Sequence, residues 1–169
     1  MNFPTEKEHA PFYSNYLKTL PKGDFRIVFE QVSDLIPLFF EKVDEEKSQY
    51  RYLPEKWSIR EVVSHLIEVE RIFAYRALVF SRNDETHLPG FDEDNYVKNG
   101  FAHHIQLSEL LKELIVTRKS TLLMLNNMPN DFLSRMGNAN NNQISVNAIF
   151  HIIAGHQLHH FNVISERYL

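Results

Sequence analysis

The residues best equipped for chemistry are histidines, and four of the nine fall in one stretch, Ile144 to Arg167, reading ISVNAIFHIIAGHQLHHFNVISER. Ile149, Ile153 and Val163 recur there at helical spacing, Ser145 and Asn147 stand near its start, and Glu166 and Arg167 near its end. The stretch therefore reads as a helix. On it His156 and His160, four residues apart, lie within roughly 40° of each other and about 6 Å apart along the axis, a spacing that lets two imidazoles grip one cation. His156 shares its stripe with Ile149, Ile153 and Val163, so this pair is expected to face the core. His159 shares a stripe with Ala148, Ile152 and Glu166, and His151 points elsewhere again; both are expected on the flank or surface. Imidazoles on an apolar stripe must hydrogen-bond, ionise at a cost, or bind a metal. Two alone also fit a satisfied core pair, so a metal needs a third ligand.

His65 can supply it. Trp57-Ser58 opens an earlier helix, with Ser58 and Glu61 forming a capping box in which each satisfies the other's free backbone N–H. The helix runs to about Ser81, and His65 shares a stripe with Val62, Val69 and Ile72 at the border of the core. Glu61 and Glu68 flank His65 and are candidates to orient it; Trp57 reads as a packing anchor. Glu70 lies on the most apolar stripe, with Ile59, Val63, Leu66 and Phe73, and needs a partner. The next helix, about Leu107 to Met128, carries Arg118 among Leu107, Leu111, Leu114, Thr121 and Leu125. Glu70 and Arg118 are expected to meet in the bundle, as a pair that fixes register or one that binds substrate.

Residues 1–23 read as a packed N-terminal arm, with room for one short helix, laid against the bundle, with Pro4, Pro11, Pro21 and Gly23 around Phe12, Tyr13 and Tyr16. Asp24 then caps a first helix whose stripe runs Phe25, Phe29, Val32, Ile36, Phe39 and Val43. Pro37 should kink that helix or break it near Ile36. A polar connection follows, and the amide-rich segment PNDFLSRMGNANNNQ reads as the loop before the last helix. No repeat or second domain is visible, so residues 1–169 are expected to form one domain.

The three histidines also choose a topology. His65 lies about seven residues after the start of its helix and His160 about seven before the end of its own, so they meet only if these helices run antiparallel; otherwise they miss by roughly 10 Å. An up-down-down-up four-helix bundle, all-α, satisfies this if a connection crosses the bundle's length between the second and third helices. RNDETHLPGFDEDNYVKNGFAHH, about 22 residues where loops are ordinarily short, is long enough to do so.

Composition narrows the partners. With a net charge of −4 and scattered basic residues, nucleic acid is excluded as an expected partner. There are no cysteines, which removes disulfides, thiolate ligands and a protein thiol nucleophile. The N-terminus lacks the layout of a signal peptide and no apolar run reaches membrane-spanning length, so a cytoplasmic protein with no membrane partner is expected. Tyr75, Leu78 and Val79 read as an apolar flank that permits a homodimer.

The segments WSIREVVSHLIEVERIFAYRALVFSR, LPGFDEDNYV and GHQLHH closely resemble the DinB/YfiT-like superfamily of metalloenzymes, the resemblance covering roughly residues 24–167. It implies a four-helix bundle holding one divalent metal, zinc or nickel, on three histidines, which fall here on His65, His156 and His160. It further implies a thiol S-transferase acting on a small-molecule substrate with a bacillithiol-type cosubstrate, in detoxification or stress response. A metal-dependent hydrolase and a non-catalytic metal- or ligand-binding stress protein are the alternatives. Three neutral imidazoles leave a tetrahedral ion one open position, for water or a thiol. Asp92, Asn95 and Tyr96 on the crossover are the candidates for acid, base or substrate contact; no cofactor-binding residue is indicated.

Overall fold

The computed structural model describes residues 1–169. Four long helices carry it: α2 (Phe25–Phe40), α3 (Ile59–Ser81), α5 (Leu107–Asn126) and α6 (Val146–Arg167). A short α1 (Ser14–Leu17) lies in the N-terminal arm and α4 (Glu93–Asn99) in the crossover. Starts are capped as their residues dictate. The Asp24 side chain accepts from Arg26 N, Ser145 Oγ from Ala148 N, and Ser58 and Glu61 form the reciprocal box. Pro37 does not end α2, which continues to Phe40, short of the expected Val43. The missing N–H falls in the last turn, where one lost bond leaves the preceding helix intact.

Each of α3 and α2 packs against both α5 and α6, so helices consecutive in the chain sit diagonally. Direction follows from two apolar clusters at the bundle's ends. One holds Phe25 and Phe29 from the start of α2, Phe73 and Phe80 from late α3, Leu125 from the end of α5 and Ile149 from the start of α6. The other holds Ile36 and Phe40, Ile59 and Val63, Leu107 and Leu114, and Phe161 and Ile164. The order is up-down-down-up, with α3 antiparallel to α6. The crossover is not bare loop: α4 and a single turn at Ala102–His104 break it up.

Between the clusters each helix contributes one polar residue: Ser33, Glu70, Arg118 and Gln157. Arg118 Nε and Nη2 donate to the Glu70 carboxylate at 2.9 to 3.1 Å, Nη1 reaches Gln157 Oε1, and Gln157 Nε2 donates to Val32 O at 2.7 Å. Glu70 and Arg118 thus meet as expected, fully buried. A four-way layer of this kind penalises any slip of one helix past another.

Two features depart from the expectation. The amide-rich segment contains a β-hairpin, β1 (Met136–Ala139) paired antiparallel with β2 (Asn142–Ser145), so Ile144 and Ser145 precede the last helix. Asn140 and Asn141, both at positive φ (52° and 59°), make the two-residue turn whose twist suits a hairpin. His151, expected on the flank or surface, is buried and stacked on Phe25 at 3.5 Å, because the arm folds over the start of α6. No helix is long and apolar enough to cross a membrane. Tyr75 and Leu78 are exposed, but Val79 is buried in the first cluster and drops out of the apolar flank.

Candidate functional site

His65 faces inward because Val62, Val69 and its neighbours on that stripe of α3 are core residues, and antiparallel α6 presents His156 and His160 opposite it. The Nε2 atom of His156 lies 3.1 Å from that of His65 and 3.0 Å from that of His160. One nitrogen from each ring falls within 4.8 Å of the others, so the three histidines selected by register converge. Burial pushes His65 down to about 4. Burial, and then the neighbouring imidazoles, hold His156 and His160 well below the usual value. All three are neutral at pH 7, so each ring has one unprotonated nitrogen that can donate a lone pair to a cation.

The donor set fits a divalent ion. Tetrahedral zinc at about 2.0 to 2.1 Å from each nitrogen needs neighbouring nitrogens about 3.3 Å apart, so the two pairs through His156 need to open by only a few tenths of an ångström, and the His65–His160 pair, within 4.8 Å, must settle at the same spacing. Neutral imidazoles suit zinc and nickel. A divalent metal ion is the group the residues here would hold.

The triad lies on the wall of a cavity of about 350 Å³. Trp57 is more than a packing anchor: its ring sits 4.8 Å from that of His65, and Nε1 donates to Asp94 Oδ1 at 3.1 Å. From the arm, Tyr16 stands edge-on to His156 at 5.1 Å and also meets His159. The arm approaches this closely because α6 has Gly155 there; a Cβ would fall 2.3 Å from the Tyr16 carbonyl oxygen. The single proton of Thr19 Oγ1 is shared between the Tyr16 carbonyl at 2.6 Å and the Gly155 carbonyl at 3.1 Å, pinning the contact. His159, half-buried, lines the cavity instead of a bare flank.

The crossover does reach the cavity, but not with the residues expected. Asp92, exposed, caps α4 by accepting from Asn95 N at 2.9 Å, Asn95 is engaged by Asn99, and Tyr96 leans on Phe91. None of the three lines the cavity; Phe91, Glu93 and Asp94 do. The cap explains the shift, since it commits Asp92 to its own backbone and leaves the next two acids, still exposed, at the cavity's rim. Glu61 is held by Ser58 and Arg51, and Glu68 accepts from Ser64, so neither orients His65. Arg76 also lines the cavity and was not singled out from the sequence. The signal was available: eleven residues after His65, it lies within about 20° of it on α3.

Comparison with known proteins agrees with this architecture. The family model of the DinB superfamily matches residues 29–164. The solved structure of YfiT from Bacillus subtilis, described as a probable metal-dependent hydrolase with an unusual four-helix bundle topology, is similar with a TM-score of 0.72. The two chains are 16% identical, and the match covers 96% of this one and 89% of that one. No curated protein matches.

Proposed function

Because the chain belongs to the DinB superfamily, we propose that it is a divalent-metal-dependent enzyme acting on a small molecule, with His65, His156 and His160 as the ligands. The observation that carries this reading is the convergence of three neutral imidazole nitrogens on the wall of a cavity large enough for an organic ligand. A three-nitrogen set leaves one coordination position for a reactant, as catalytic zinc requires. Bound there, the ion supplies Lewis acidity that ionises a thiol or a water near neutral pH.

Thiol S-transfer is the reaction proposed. A low-molecular-weight thiol of the bacillithiol type brings the sulfur, since the chain has no cysteine of its own. Its proton leaves, and the sulfur forms a bond to an electrophilic small molecule as that molecule's leaving group departs. Tyr16, Trp57 and Phe73 supply apolar walls that hold the reactants and keep water out. His159, whose pKa is lowered by burial, is uncharged at pH 7 and can take up the thiol proton. Hydrolysis is the second reading, supported by the description of YfiT; there water replaces the thiol.

The test is turnover by zinc- or nickel-loaded protein of a thiol with an electrophilic acceptor, followed beside a panel of esters and amides. His65→Ala and His160→Ala should each cost on the order of a hundredfold or more in metal-supported rate. Variants that lose the metal yet keep full activity would refute the reading.

A further inference from the structure

Three arginines are buried in this protein: Arg60, Arg76 and Arg118. Arg60 is paired with Glu45 and Arg118 with Glu70, but no carboxylate lies within 4.0 Å of Arg76. Arg76 is nonetheless only 3% exposed, and what surface it has faces the cavity that holds the histidines. Its Nη2 donates to Pro89 O at 2.8 Å, and its guanidinium lies 5.0 Å from the Phe73 ring and 5.9 Å from the Phe91 ring. The Tyr13 hydroxyl is the titratable group that acts on it. One carbonyl and two aromatic faces leave a desolvated cation short of a counterion, the state that buried charges avoid unless a partner arrives.

Position says what the partner would be. Arg76 and His65 lie on one face of α3, separated by eleven residues, or about 16 Å of axis. The Arg76 side chain leans back toward the helix start, and so toward the histidines. Val69 and Phe73 occupy that face between them and line the cavity, with Tyr13, Tyr16 and Phe91 across from them. Glu93 and Asp94 also reach the rim, but both are exposed to screening solvent and Asp94 is occupied by Trp57. The cavity is thus electron-donating at one end, apolar in the middle and cationic at the other.

We infer that Arg76 is the anion-recognition residue of this cavity, and that its ligand is an elongated small molecule with an apolar middle and a terminal carboxylate or similar anion. This rests on the cavity being the substrate site but does not depend on the metal. A planar guanidinium with donors to spare fits a carboxylate in a fork geometry.

Octanoate and octanol serve as a probe pair of equal length differing in charge. Trp57 is the one tryptophan and stands in the cavity wall, so its fluorescence reports binding there. Zinc-loaded and metal-free protein are titrated with each probe, and zinc content is measured on the same samples. Octanoate should bind at least tenfold more tightly than octanol in both forms, Arg76→Gln should abolish that preference, and Arg76→Lys should retain part of it. Arg76→Lys keeps the cation, so it also covers the case in which Arg76→Gln fails to fold. Equal binding of the two probes, or no saturable binding of either, would overturn the inference. So would a preference that survives Arg76→Gln and disappears with zinc, which would put the carboxylate on the metal. Equal and parallel losses for both probes in Arg76→Gln would mean that Arg76 only pins the Pro89–Phe91 segment. Stoichiometric zinc with no charge preference removes this inference and leaves the metal reading standing; the opposite pattern does the reverse.

Discussion

Removing Glu70 should be among the most damaging single changes in the bundle, and removing its partner as well should be far less so. Both residues are 3% exposed or less, and Arg118 makes three short N–H to carboxylate contacts to Glu70. In Glu70→Ala the guanidinium keeps only Gln157, a 3.4 Å contact with Ser33 and the Phe29 ring. An uncompensated buried charge of this kind costs about 3 to 5 kcal/mol, a large share of the 5 to 15 kcal/mol typical of a domain. Arg118→Met should cost a similar amount by stranding the carboxylate. The double variant Glu70→Leu/Arg118→Met buries no charge and loses mainly one acceptor partnership at Gln157, worth about 1 to 3 kcal/mol. Summing the singles would therefore overstate its cost severalfold. Urea unfolding followed by circular dichroism, with midpoints compared at constant m, measures all three. Single losses under about 1 kcal/mol that simply add would show that the layer is not holding the helices in register. The double variant should also bind zinc more weakly than wild type, because Gln157 adjoins His156 and loses one of its two anchors.

Two further outcomes follow from close contacts on α6. Gly155→Ala places a methyl 2.3 Å from the Tyr16 carbonyl oxygen, so the arm must shift. Overpacking costs about 1 to 3 kcal/mol, offset by up to about 1 kcal/mol of helix propensity, and proteolysis should cut residues 1–23 faster than in wild type. Burial holds His151 down at about 4, against about 6.5 for an unperturbed histidine. The unfolded chain then binds the proton more readily, so this contribution is fully present above about pH 6.5 and is lost as pH falls toward 4. His151→Phe, beside a cavity of about 440 Å³ that can take the larger ring, should flatten the loss of stability between those pH values. An unchanged slope in urea midpoint against pH would refute the assignment.

The parts of the fold that were legible are those in which a polar residue interrupts an apolar stripe. Glu70, Arg118, His65, His156 and His160 each had to be satisfied, and asking where their partners lay gave the helix directions and explained the long crossover. What was not legible depended on contacts between distant segments. The arm is expected against the bundle, but nothing local to Tyr16 or Gly155 says that it docks on α6, and without that partner His151 reads as surface. The hairpin was missed although Asn140-Asn141 is a turn dipeptide, because its strands are only four residues each and lack a clear alternation. On the crossover Phe91, Glu93 and Asp94 line the cavity, whereas Asp92, Asn95 and Tyr96 do not. Asp92, a candidate for acid, base or substrate contact, stands just before a short helix, a position that suits a cap. Arg76 was passed over because an arginine on a helix is ordinarily solvated, and only burial shows that it has no counterion.

The most direct test of the central claim is elemental analysis of protein purified without a histidine tag, beside the His156→Ala/His160→Ala variant, each after exposure to zinc and nickel and desalting. Wild type should retain about one ion per chain and the variant none, as a three-imidazole site requires. A folded wild-type protein that holds neither metal would contradict it and leave the three rings as a hydrogen-bonded chain through His156.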